Sequence, residues 1–246
     1  MSLRGARVLV TRARADAGPL EDLLRAEGAE PVPFPCIELS ELPAALPEQV
    51  DFIAFASAHA ARILCARAPA LVARAQLAAA GAGTAAALRT AAPESSTLVP
   101  LEGVGAEALA ELLAPLVRGK SVLVPRAESG NPVLPERLAA AGARVTVVSL
   151  YRTIPAQVAE PAGLAGLRAG NIDVIALASG SAAQGFAALL GTEAAALASR
   201  CAVVCMGPAC AAATRELGLP VAAVSEGGFP ELCKAIGRAL VYRMRT

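Results

Sequence analysis

The 246-residue sequence has no tryptophan, two tyrosines, five phenylalanines and one histidine. So few rings leave little on which nucleic-acid bases could stack. The charges, which sum to +1, are scattered and form no Lys/Arg stripe for phosphates. Nucleic acid is therefore not an expected partner. Hydrophobic residues make up 55% of the chain, but Ala supplies much of this, and no apolar run reaches the ~18 residues of a spanning helix. The first residues (MSLRGARVLVTR) pass straight into a strand-like run, without the charge–apolar–cleavage order of a secretory signal. The expectation is a soluble cytoplasmic protein with no membrane partner. The basic end formed by Arg238, Arg243 and Arg245 reads as a solvated helix terminus.

Six cysteines (36, 65, 201, 205, 210 and 233) contain no CxxC pair, and one histidine is too few for common N/S metal sites. Cys201 and Cys205 fall on one face of a strand or helix, yet free cysteine is among the most often buried residues, so apolar filler is the reading. A Walker loop, a GxSxG elbow, an HExxH helix and a visible nucleophile–histidine pairing are all missing from the sequence. That points to a substrate bringing its own reactivity, or to a binding protein.

What is present is a duplication. Residues 4–29 match 118–143 at an offset of 114, with 12 identities in 26 positions. Residues 51–61 match 173–183 at an offset of 122, with 7 identities in 11, and 81–89 match 207–215 at an offset of 126. A repeat of roughly 120 residues is far longer than a solenoid period and suits two compact domains.

Within each copy, short β-branched runs alternate with helical patterns. Arg7–Thr11, Pro31–Phe34, Asp51–Ala56, Gln76–Ala80, Ser121–Pro125, Arg144–Leu150, Asp173–Ala178 and Ala202–Met206 read as strands, mostly buried parallel ones. Asp16 offers an N-cap, with Pro19 in the first turn and Gly28 closing the helix. Val104, Ala108, Leu112 and Leu116, with Leu109 and Leu113, give an amphipathic helix; Leu232, Ile236 and Leu240 give its counterpart. The alternation predicts an α/β fold with two doubly wound parallel sheets.

In such sheets ligands gather beyond the carboxyl ends of strands, where helix N-termini favour anions. The candidates there are Thr11, Arg12, Ser57, His59, Thr84, Arg126, Ser179, Ser181 and Gly207. Simple N-capping competes as the explanation of each Ser and Thr, and their recurrence in both halves favours function. His59 could face the site as a proton donor or stand as an exposed first-turn residue. Tyr151, directly after a strand, either anchors a connection or acts as general acid, since a neutral phenol has a proton to give. Gly81-Ala-Gly83-Thr-Ala-Ala86 is a degenerate dinucleotide fingerprint with Glu102 about 20 residues on, and close helix–strand packing accounts for its glycines equally well.

Val8-Leu-Val-Thr-Arg12, Asp51-x-Ile-x-Phe-x-Ser57, Gly81-x-Gly-Thr-Ala85, Leu150-Tyr-Arg-Thr153, Asp173-Val-Ile-x-x-x-Ser179 and Met206-Gly-Pro208 occur in this order along nearly the whole chain. Together they resemble the uroporphyrinogen-III synthase family. The resemblance implies two flavodoxin-like domains joined by a two-stranded linker, with the substrate in the cleft between them. It further implies interleaving: residues 1–35 with 154–246 in one domain, 38–150 in the other, and linkers at about 34–38 and 150–155. Simple tandem halves remain the alternative from the repeat alone. The implied reaction cyclises hydroxymethylbilane with loss of water and inversion of ring D, without metal or cofactor. Tyr151 matches the family's linker tyrosine and would assist hydroxyl departure as the catalytic residue. Ser57, Thr84, Ser179 and Ser181 match polar substrate-binding positions. The chain departs from the family at Ala209-Cys210, where Thr is frequent after Gly-Pro, and at His59 in Ser57-Ala-His59-Ala. The implied partners are the tetrapyrrole and a transient hand-over from hydroxymethylbilane synthase.

Two other classes compete. One is a two-lobed receptor that closes on an anionic metabolite without chemistry. The other is a dinucleotide-dependent oxidoreductase acting through Gly81–Ala86.

Overall fold

The computed structural model describes residues 3, 5–226 and 228–243. The first elements are β1 (Arg7–Val10), α1 (Arg14–Ala26), β2 (Glu30–Pro33), β3 (Ile37–Glu41), β4 (Phe52–Phe55), α2 (Ala58–Arg67), α3 (Pro69–Arg74) and β5 (Gln76–Ala79). Then come α4 (Ala82–Ala91), β6 (Thr97–Leu98), α5 (Ala106–Leu113), β7 (Ser121–Ala127), α6 (Val133–Ala140) and β8 (Arg144–Pro155). The last are α7 (Pro161–Arg168), β9 (Val174–Leu177), α8 (Gly180–Leu190), α9 (Ala194–Ala198), β10 (Ala202–Met206), α10 (Pro208–Glu216), β11 (Ala223–Ser225) and α11 (Phe229–Arg243).

Two compact units result: Met1–Leu39 with Thr153–Thr246, and Ser40–Arg152. The first holds a sheet in the order β2-β1-β9-β10-β11, all parallel. The second holds β3-β8-β7-β4-β5-β6, in which every pairing from β8 to β6 is parallel. The chain passes from one unit to the other within β3 and within β8, which are hydrogen-bonded neighbours.

Burial on both faces explains the unbroken apolar strands. In the first unit Val8 and Val10 pack with Leu20, Leu24 and Ile236 of α1 and α11 on one face. Leu9 packs with Phe34, Leu177, Phe186 and Val203 on the other. In the second, Val122 and Val124 meet Leu109, Leu113, Leu134 and Leu138 of α5 and α6. Each fully buried Leu contributes about 2 kcal/mol. All six cysteines are buried, none of them in a disulfide. Among the described residues no helix is long and apolar enough to cross a membrane.

Several local readings are corrected. Helix α1 starts before Asp16, with Ala13 as N-cap and Asp16 inside the first turn. Val104 and Leu116 stand 82% and 46% exposed; Gly105, at φ +97°, is the N-cap of α5, which runs only from Ala106 to Leu113, so its buried stripe is Leu109, Ala110 and Leu113. Strand β8 does not stop at Leu150 but runs to Pro155, which puts Tyr151 inside it. Close packing does not explain the Gly81–Gly83 turn, since a Cβ at Gly83 would meet nothing within 4 Å. Arg238 is exposed, the side chain of Arg243 is not described, and Arg245 lies outside the described residues.

Candidate functional site

The carboxyl end of β4 delivers Ser57, which leaves the strand in an extended conformation and caps α2. Its Oγ accepts the Ala60 N–H at 3.4 Å and lies 2.9 Å from Tyr151 Oη on β8. In the first turn of α2, the ring of His59 stands edge-on to the Tyr151 ring, with centroids 4.6 Å apart. Tyr151 is 8% exposed, while Ser57 and His59 are half-buried. A long parallel strand and a helix N-terminus thus bring three sequence-predicted residues into one cluster.

The copy of this cap in the other unit is Ser179, which accepts the Ala182 N–H at 3.2 Å. Its second partner is the Ser181 hydroxyl at 3.0 Å, and Ser181 stands at the repeat position of His59. Both capping serines therefore keep a second polar partner beside the remaining N–H groups of a helix end, an arrangement that suits anions.

Arg12 and Arg126, 114 residues apart, are equivalent in the repeat and behave alike. Arg12 Nε donates to the Asp16 carbonyl at 3.0 Å, and an Nη of Arg126 donates to the Gly130 carbonyl at 2.8 Å. Each arginine thus folds onto the carbonyl four residues ahead. Arg12 also lies 5.0 Å from the ring centroid of Phe229, at the start of α11. Burial holds the Arg12 guanidinium below the usual arginine range, against the pull of Asp16. Arginine stays cationic even so. Arg126 Nε is buried without a hydrogen-bond partner.

Thr11 does not belong with these groups. It is fully buried, and its hydroxyl donates to the Ala176 carbonyl at 2.7 Å, tying β1 to β9 and leaving no proton for a ligand. Thr84 is 8% exposed in the first turn of α4. Gly207, at φ +84°, forms the turn from β10 into α10. Beneath that turn Cys205 Sγ lies 3.4 Å from Thr214 Oγ1. The Cys210 thiol hydrogen-bonded to Cys205 lowers Cys205 to about 7 and is itself pushed up, and both sulfurs are enclosed.

Ser225, at the end of β11, has no counterpart among the sequence candidates. It is 2% exposed, and its Oγ has no partner. The available signal was a strand-end serine in Ser225-Glu-Gly-Gly228, the same logic that singled out Ser57 and Ser179.

The HEM4 family model, uroporphyrinogen-III synthase HemD, matches residues 18–231. The solved uroporphyrinogen-III synthetase of Helicobacter pylori 26695 is 17% identical over 96% of this chain and 99% of its own, with a TM-score of 0.64. A selenomethionine mutant of uroporphyrinogen III synthase from the extremely thermophilic bacterium Thermus thermophilus is 22% identical over 97% and 100%, with a TM-score of 0.49. The wild-type form of that enzyme is also 22% identical, over 98% and 100%, at 0.45. No curated protein matches the sequence. The likeness to the Helicobacter pylori structure is one of fold.

Proposed function

The chain belongs to the uroporphyrinogen-III synthase family, and from that premise we propose how its residues carry out that family's reaction. The protein is a lyase of tetrapyrrole biosynthesis. It closes linear hydroxymethylbilane to uroporphyrinogen III, inverting ring D and releasing water. The family match over residues 18–231 carries this reading. The strand orders β2-β1-β9-β10-β11 and β8-β7-β4-β5-β6 support a flavodoxin-like reading of each unit, since both reproduce a 2-1-3-4-5 order once the repeat is mapped.

The substrate is an octa-carboxylate that cyclises unaided to the type I isomer. The enzyme's task is therefore to position the chain and to stabilise the cation left when hydroxide departs. Tyr151 is the proposed acid. Ser57 Oγ accepts from Ala60 and can give its own proton to Tyr151 Oη, which lets the phenolic proton follow the departing hydroxyl. Ser57 then stabilises the phenolate that remains. The His59 ring fixes the plane of the phenol. Ser57, Ser179 and Ser181, with Thr84, Gly207, Arg12 and Arg126, are the proposed carboxylate contacts, and Thr11 is omitted because its proton is committed. A cytoplasmic location and receipt of the unstable substrate from hydroxymethylbilane synthase belong to the same proposal.

The test supplies freshly made hydroxymethylbilane, oxidises the products and separates the type I and type III isomers. Type III is the expected product, and an unchanged type I yield would overturn the assignment.

A further inference from the structure

A buried hydroxyl without a partner is rare in a folded protein, because an unmet hydrogen bond in the interior opposes folding. Ser225 is such a group, 2% exposed with its Oγ unpartnered. Successive side chains along a strand alternate between faces. In β11, Ala223 packs against the cluster formed by α1 and α11, and Val224 against the cluster on the opposite face. Ser225 therefore points to the α1/α11 side, as does its register partner Met206. Four residues later α11 begins, and the Leu232 N–H closes its first turn on the Gly228 carbonyl at 3.1 Å. The ring of Phe229, its first residue, carries the Arg12 guanidinium at 5.0 Å. The one carboxylate in that first turn, Glu231, is paired with Lys234 at 2.7 Å.

We propose that Ser225, Arg12 and the N-terminus of α11 form a carboxylate subsite that takes one acidic side chain of the tetrapyrrole. The inference rests on the synthase reading and adds a substrate-binding residue to it. Ser225 donates its proton to one carboxylate oxygen, the N–H groups of Phe229 and Glu231 (Pro230 has none) and the helix dipole face the same charge, and Arg12 supplies the counter-ion. The ligand meets the hydroxyl that the free protein leaves unmet.

The test is Ser225→Ala, assayed with hydroxymethylbilane beside wild type. The KM is expected to rise roughly tenfold while kcat holds, as when one charge-assisted hydrogen bond is lost. Meanwhile Tm stays level or rises, because an unsatisfied hydroxyl has been removed. Thermal stabilisation by the octa-carboxylate uroporphyrin III should shrink in the variant. Arg12→Gln combined with Ser225→Ala should lose less than the two single effects added, since both groups hold one carboxylate. A wild-type KM in Ser225→Ala would overturn the subsite and leave Ser225 with an ordered water only. Failure of the wild type to form the type III isomer would instead overturn the synthase reading, so the two failures are distinguishable.

Discussion

Tyr151 and Ser57 share one hydrogen bond of 2.9 Å, and their substitution should have unequal effects. Tyr151→Phe keeps the ring against His59 and removes only the hydroxyl. Type III formation should slow by roughly a hundredfold, the low end for a general acid, with about 1 kcal/mol lost in stability. Single-turnover isomer yields with urea midpoints check both figures, and wild-type turnover would remove Tyr151 from the chemistry. The strand-end residues were legible in the sequence as types, but where each proton goes was not. Thr11 and Ser57 both follow apolar strands, yet Thr11 turns inward to Ala176 and Ser57 caps a helix. The inward or outward choice is set by strand parity. In a strand buried on both faces, parity leaves no polar–apolar signal to read.

The repeated aspartates act on the strands beside their own. Asp51 Oδ2 accepts the Ser121 N–H and hydroxyl, both at 2.7 Å, and Asp173 Oδ2 accepts the Arg7 N–H at 2.8 Å. Each carboxylate thus pins the start of a neighbouring parallel strand. The backbone N–H of Ser121 is the larger cause holding the Asp51 carboxyl below its usual range, with the Ser121 hydroxyl next. A carboxyl depressed by folding adds stability above its unfolded pKa of ~3.9 and loses it as pH falls through the lower folded value. Carbon-13 titration should therefore place Asp51 below ordinary aspartates, and Ser121→Ala should move it only part of the way back, because the backbone donor remains. Helix packing gives a second expectation. A Cβ on Gly185 of α8 would lie 1.9 Å from the Cys36 carbonyl oxygen, and one on Gly163 of α7 would lie 2.6 Å from the Phe34 ring. Gly185→Ala should cost about 3 kcal/mol in urea melts, whereas Gly18→Ala inside α1, with nothing within 4 Å, should add up to about 1 kcal/mol. Neither glycine stood out in the sequence, since a close approach depends on which helix lands on which loop.

At the scale of the whole molecule, the copies visible in the sequence and the compact units cut the chain in different places. The opening strands of the first copy, β1 and β2, share a sheet with β9, β10 and β11 of the second, joined by the β1–β9 pairing. The opening strands of the second copy, β7 and β8, share a sheet with β4, β5 and β6 of the first, joined by the β7–β4 pairing. Each sheet contains a five-strand set made by reciprocal exchange, to which β3 adds an edge in the second, which is why the same Ser cap and the same Arg-to-carbonyl contact recur in both units. The offsets of 114, 122 and 126 reveal the duplication but carry no trace of the exchange, because pairing between strands of different copies is a long-range choice. That choice yields a fragment experiment. Residues 40–152 contain all of β4 to β7, most of β8 and the core around Leu109, Val122 and Leu138, and they should fold cooperatively when expressed alone. Residues 1–117, one full sequence copy, separate β1 and β2 from β9 and strip β4 of β7, leaving both sheets open through their middles. Circular dichroism and amide exchange should show a protected sheet in the first fragment and none in the second. A folded 1–117 would mean that the copies, and not the exchanged units, are the folding domains.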